Sequence, residues 1–131
     1  MRLVKQINDI DCGVAVAAMI ASVKYDDASR IDRALFPDAK TGMSPENLIL
    51  LIQHLTKKPL TISKRNYKKP LSQLVTREHD RAVLIRDKNQ KYGHWVAIHK
   101  DRIYDPEYYI SKSITDYERN NWDVIRVLSA A

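Results

Sequence analysis

The chain has 131 residues, 44% of them hydrophobic and 29% charged, a length and balance that fit a single domain with its own core and exclude a disordered segment. No apolar run approaches the roughly 18 residues that cross a bilayer, and the lone cysteine excludes an internal disulfide or a thiolate zinc site, so the expectation is a cytoplasmic protein without a membrane segment. The net charge of +6 is scattered, with short clusters only at Lys57-Lys58, Lys64-Arg65 and Lys68-Lys69; lacking an aromatic-interleaved motif, it reads as a solvated surface and not as a nucleic-acid site.

From Cys12 to Lys24 the sequence CGVAVAAMIASVK is apolar almost all round and rich in alanine, which predicts a buried helix. Asp26 and Asp27 read as the cap of a second helix running to about Leu35, ended by Phe36-Pro37 because the residue before proline is pushed out of the helical region. Ser44-Pro45-Glu46 supplies a cap, a first-turn proline and an early acid before NLILLIQHL, whose Leu48, Leu51, Ile52 and Leu55 recur at helical spacing. After Lys58-Pro59 the pattern changes to strands. Leu60 and Ile62 alternate with Thr61 and Ser63, Pro70 to Leu74 offers a short helix, and strands follow at Arg81 to Ile85, Gly93 to His99, Arg102 to Tyr104 and Trp122 to Leu128. Turns at Lys88-Asn89 and Lys100-Asp101 join them into an antiparallel set. Helices first and strands second predict an α+β domain over residues 1–131, the helices packed on the sheet.

Cys12 stands at the start of the buried helix, where unpaired N–H groups and the positive end of the macrodipole favour a thiolate. A lone cysteine beside an apolar helix is more often core packing, so position alone does not make it a nucleophile. Gln6, six residues earlier, is placed to set its amide beside the Cys12 N–H as a second donor to an oxyanion; the bland alternative is an exposed polar residue. His94 follows Gly93 at the head of a strand, and Asp105 ends the next one in IYDPE. If these strands form a hairpin around Lys100-Asp101, His94 and Asp105 become neighbours. Asp105 would then accept from Nδ1–H and leave Nε2 as the base. Taken singly, His94 reads as a structural histidine and Asp105 as a turn former. His94 and His99 fall on opposite faces of a regular strand, and His54 and His79 lack ligand spacing, so no metal is assigned. Trp95 is a candidate to border the cleft, whereas Tyr104, Tyr108, Tyr109 and Tyr117 read as rim and core packing.

The segment QINDIDCGVAVAAMI resembles the Gln-x5-Cys block of the bacteriocin-processing peptidase domains, the papain-like cysteine peptidases fused to ABC exporters that remove double-glycine leader peptides. TGMSPENLI, LSQLVTREHDRAVLI and GHWVAIHKDRIYDPE resemble further blocks in that family's order, over nearly the whole chain. The resemblance implies a papain-like fold, with Gln6 in the oxyanion hole, Cys12 as nucleophile, His94 as general base and Asp105 as its orienting partner. It implies no cofactor and a peptide or protein substrate. The chain is read as a free-standing domain, so the leader peptide and the exporter are not carried over. Two rivals keep the same residues: a deamidase acting on glutamine or asparagine of a protein, and an inert module that binds peptides.

Overall fold

Ser44, Pro45 and Glu46 start a helix as their chemistry dictates: the Ser44 hydroxyl accepts from the Asn47 N–H at 3.2 Å and the proline occupies the first turn. In the computed structural model, which describes residues 1–39, 42–62, 69–74 and 79–130, this is the third of three helices. They are α1 (Cys12–Ala21), α2 (Tyr25–Leu35) and α3 (Pro45–Thr56). Six strands follow: β1 (Leu60–Ile62), β2 (Arg81–Arg86), β3 (His94–His99), β4 (Arg102–Tyr104), β5 (Lys112–Ser113) and β6 (Asp123–Ala130), with a 3-10 turn at Leu71–Gln73. They form one sheet in the order β1-β6-β2-β3-β4-β5, every described pairing antiparallel. The α+β expectation of helices on an antiparallel sheet holds.

Apart from strand ends that shift by one or two residues, the sequence reading differs at two helix ends and one added strand. The first helix ends at Ala21 and not at Lys24, because Ser22 turns left-handed (φ 57°) and the Val23 N–H reaches back to the Ala18 carbonyl at 3.0 Å, a Schellman-type closure that brings α2 alongside. The second helix starts at Tyr25; Lys24 occupies the cap position, and Asp26 and Asp27 lie in the first turn, where the dipole still favours them. The strand β5, two residues long on the edge of β4, has no periodicity that a sequence could show. Ser63, Lys64-Arg65, Lys68 and the stretch 75–78 lie outside the described residues.

Helix α1 is buried from Cys12 to Met19 between the other helices and the sheet, which explains why it carries no polar face. Val16, Ala17 and Met19 share a core with Leu48, Leu51 and Ile52 of α3 and with Ala82, Trp95, Ala97 and Leu128 of the sheet. Each fully buried Leu or Ile contributes about 1.5–3 kcal/mol relative to exposure. The opposite sheet face buries Val83, Ile85, Val96, Ile98 and Ile103 against Leu71, Tyr117 and Val124. The strands are therefore apolar on both faces, and polar residues buried at the end of β3 and β4 stand out. They are His94 and Asp105, joined by Asp11 just before α1.

Candidate active site

Cys12 is the first residue of α1 and only 6% exposed. The residue before it, Asp11, does not cap the helix with its side chain, so no side-chain carboxylate offsets the positive field of the first-turn N–H groups beside the thiol. The thiol sulfur accepts from the Trp95 N–H at 3.4 Å, which fastens the head of α1 to strand β3 beside His94. Only glycine fits next: a Cβ on Gly13 would lie 2.9 Å from the Met43 Cβ. Met43 is itself held by the Trp95 indole N–H, which donates to its carbonyl at 2.9 Å. Trp95 is thus core and not cleft wall, at 1% exposure.

Strand β3 delivers His94 and strand β4 delivers Asp105, as the hairpin predicts, and the two side chains meet at 2.7 Å with Asp105 1% exposed. Gly93 permits this: a Cβ there would strike the Leu84 side chain at 2.7 Å. The nitrogens are the reverse of the sequence expectation. Nε2, not Nδ1, contacts Asp105. The β3–β4 pairing ends at Ala97↔Tyr104, and the chain turns directly after Asp105, the Tyr108 N–H donating to the Asp105 carbonyl at 2.9 Å. Glu107, in that turn, brings its carboxylate to 3.4 Å from Nδ1.

Electrostatics follow from this geometry. Burial alone would lower the proton affinity of His94, but hydrogen bonds to Asp105 and Cys12, with their charges, outweigh it and the pKa is pushed up to about 9. For Asp105 burial would raise the pKa; the hydrogen bond and charge of His94, the Tyr117 hydroxyl and the Glu107 N–H prevail and hold the carboxyl below its ordinary range. Tyr117 donates to Asp105 Oδ2 at 2.5 Å, Arg119 donates to the same oxygen at 3.1 Å, and the Glu107 N–H donates to Oδ1 at 2.9 Å. Arg119 also forks onto Glu107 at 3.3 Å and lies over the Trp122 ring at 4.8 Å. Tyr117, Arg119 and Glu107 were not among the sequence candidates for the site. All three lie in turn-rich stretches, where nothing in the sequence predicts which way their side chains go.

His94, Asp105 and Glu107 are also the one group of potential metal ligands among the described residues, their ligand atoms lying within 4.8 Å of one another. Arg119 already supplies the positive charge that those carboxylates require, and a cation would have to displace it. His99 lies at the far end of β3, against Asp80 at 2.6 Å, away from this group.

Gln6 is half-buried and held by two hydrogen bonds of its own. Its N–H donates to the Pro106 carbonyl at 3.0 Å, next to Asp105. Its amide Nε2 donates to the Asn8 carbonyl at 2.8 Å, leaving one amide hydrogen for another acceptor. The turn that holds it hangs on Asp11, the neighbour of Cys12, whose carboxylate accepts from the Ile7 and Asn8 N–H groups at 3.0 Å each. The turn that bears Gln6 is thus joined to the Asp105 loop on one side and to the residue before the thiol on the other.

The family profile described as "Peptidase C39 family" matches residues 1–119. Among solved structures, the chain is similar to the peptidase domain of Streptococcus ComA, a bifunctional ABC transporter involved in a quorum-sensing pathway. The TM-score is 0.64 at 21% identity, over 99% of this chain and 98% of that one. No curated protein sequence matches the chain.

Proposed function

The chain belongs to the peptidase C39 family and is a cysteine peptidase, and from that premise we propose that Cys12, His94 and Asp105 are its catalytic triad and that Gln6 completes its oxyanion hole. Membership sets aside the deamidase and the inert binding module. The observation that carries the residue assignment is His94, buried with Nε2 on Asp105 at 2.7 Å and with the Cys12 sulfur held on the N–H of the next residue, Trp95, at 3.4 Å.

In this reading His94 Nδ1 takes the Cys12 proton, and the imidazolium so formed is stabilised by the buried Asp105 carboxylate. The thiolate attacks the scissile carbonyl carbon, and the developing oxyanion takes hydrogen bonds from the Cys12 N–H and the remaining Gln6 amide hydrogen. His94 returns its proton to the leaving amine. Water, deprotonated by His94, then attacks the thioester, and collapse of that second intermediate restores the thiol. No cofactor is needed in this sequence of steps. The substrate is a peptide. By likeness to an ABC transporter's peptidase domain, we propose a peptide processed for export as the class to test first.

The test is Cys12→Ala. The variant should fold as the parent does and lose peptide cleavage by about 10,000-fold or more, and cleavage at the parental rate would remove Cys12 from the mechanism.

A further inference from the structure

Asp11 is a charged side chain 7% exposed and directly precedes the proposed nucleophile, yet it does not cap α1. Its charge is borne by hydrogen bonds. Oδ2 accepts from the Ile7 N–H and Oδ1 from the Asn8 N–H, each at 3.0 Å, and the Tyr25 hydroxyl donates to Oδ2. Asn8 closes the turn from inside, its side-chain oxygen accepting from the Ile10 N–H at 3.1 Å and its carbonyl accepting from the Gln6 amide at 2.8 Å. A continuous chain of hydrogen bonds therefore runs from the first residue of α2, through Asp11 and Asn8, to the side chain of Gln6. Tyr25 is the member of that chain that comes from outside the turn. Without its hydroxyl, the Asp11 carboxylate keeps two N–H donors and still feels the negative charge of Asp32 nearby, so its hold on the turn weakens.

We propose that Asp11 and Tyr25 are positioning residues of the oxyanion hole, which fix the Gln6–Asn8 turn against the head of α1 and so set the Gln6 amide relative to the Cys12 N–H. The inference rests on the reading of Gln6 and Cys12 given above. Neither residue touches the substrate carbonyl. The Tyr25 hydroxyl acts through Asp11, and Asp11 acts through the turn. A misplaced donor loses most of its value because oxyanion stabilisation depends on preorganised geometry.

The experiment compares three measurements in the full chain: kcat and KM for a cleavable peptide, affinity for a peptide aldehyde, and the rate of Cys12 alkylation by iodoacetamide. The aldehyde adduct carries an oxyanion-like oxygen, whereas alkylation needs the thiol and His94 but no oxyanion hole. Tyr25→Phe keeps the ring and removes only the hydroxyl, so folding is retained. It should lower kcat about 10-fold with KM little changed and weaken the aldehyde to the same extent, a part of the effect of losing an oxyanion donor. Alkylation should proceed at the parental rate. Asp11→Asn, which replaces one of the two accepting oxygens by a donor facing a backbone N–H, should act in the same direction and more strongly. In a Gln6→Ala background, Tyr25→Phe should cost nothing further in kcat, since both changes remove one function.

Unchanged kcat and aldehyde affinity in Tyr25→Phe would overturn the inference. So would a full additional loss in the Gln6→Ala background, or alkylation falling in parallel with kcat, since each describes general support of the fold. If Gln6→Ala alone leaves kcat and aldehyde affinity intact, the oxyanion reading itself fails, a result separable from failure at Tyr25.

Discussion

Strand β3 carries a histidine at each end, and each is paired with an aspartate: His94 with Asp105 at 2.7 Å and His99 with Asp80 at 2.6 Å. By distance alone the two pairs are equivalent. Their surroundings are not. The His94 and Asp105 side chains are 9% and 1% exposed, whereas those of His99 and Asp80 are 28% and 35% exposed and face water that competes for every hydrogen bond. Asp105 accepts from Tyr117, Arg119 and a backbone N–H in addition to His94. The residue after His94 donates its N–H to the Cys12 sulfur at 3.4 Å, whereas His99 packs edge-to-face with the Tyr104 ring, centroids 6.3 Å apart. A His–Asp contact is common chemistry; burial and a carboxylate fixed by further donors set the His94 pair apart, and under the proposed triad they suit it to catalysis.

The comparison breaks most sharply by exchanging one histidine at a time. His94→Ala should lower kcat/KM for a peptide about 1,000-fold or more, as loss of a triad member does. His99→Ala should leave it within about two-fold, the scale of a surface substitution. Equal losses would mean that the two pairs serve the same structural purpose.

The carboxylates come next. Asp105→Asn should cost about 100-fold or more in kcat, and Asp80→Asn almost nothing. The sign of the pH effect distinguishes them as well. His94 titrates at about 9, above the ordinary value of 6.5. The imidazolium and its pairing with Asp105 therefore persist through neutral pH and are lost as pH rises through about 9. Activity should fall along an alkaline limb near that value. Removing the Asp105 charge withdraws two of the influences that raise the pKa, so the limb should move to lower pH in Asp105→Asn and stay in place in Asp80→Asn.

The smallest expected effect lies one layer out. Tyr117→Phe removes a donor from a fully buried carboxylate and should cost about 1–3 kcal/mol of stability, read as a lower urea midpoint, with the alkaline limb displaced slightly upward. The direction follows because the Tyr117 hydroxyl helps hold Asp105 as an anion at low pH, and without it the charge rests more heavily on His94.

The same contrast explains which parts of the molecule were legible in the sequence. Helix α3 and the β3–β4 hairpin announce themselves through local signals: a Ser-Pro-Glu start, helical spacing of Leu48, Leu51 and Ile52, and a short turn at Lys100-Asp101. Cys12, His94 and Asp105 come together because two of them sit on that hairpin and the third on a helix that must be buried. The sequence is silent where side chains from turns converge. Tyr117 and Arg119 reach Asp105 from a stretch with no period, and which ring nitrogen of His94 meets Asp105 depends on side-chain geometry that a strand pattern does not carry. Asp11 reads in sequence as a polar residue ahead of a helix, and its role as the anchor of the preceding turn depends on Tyr25, which only the packing of α2 brings near.

The most direct measurement uses the fact that Cys12 is the chain's one cysteine, so that an electrophilic peptide, such as a chloromethyl ketone, has a single thiol to label and intact-mass spectrometry follows it without ambiguity. The parent and His99→Ala should be labelled at the same rate, and His94→Ala far more slowly. Equal labelling of all three would contradict the account, since Cys12 would then react without help from the histidine that faces it.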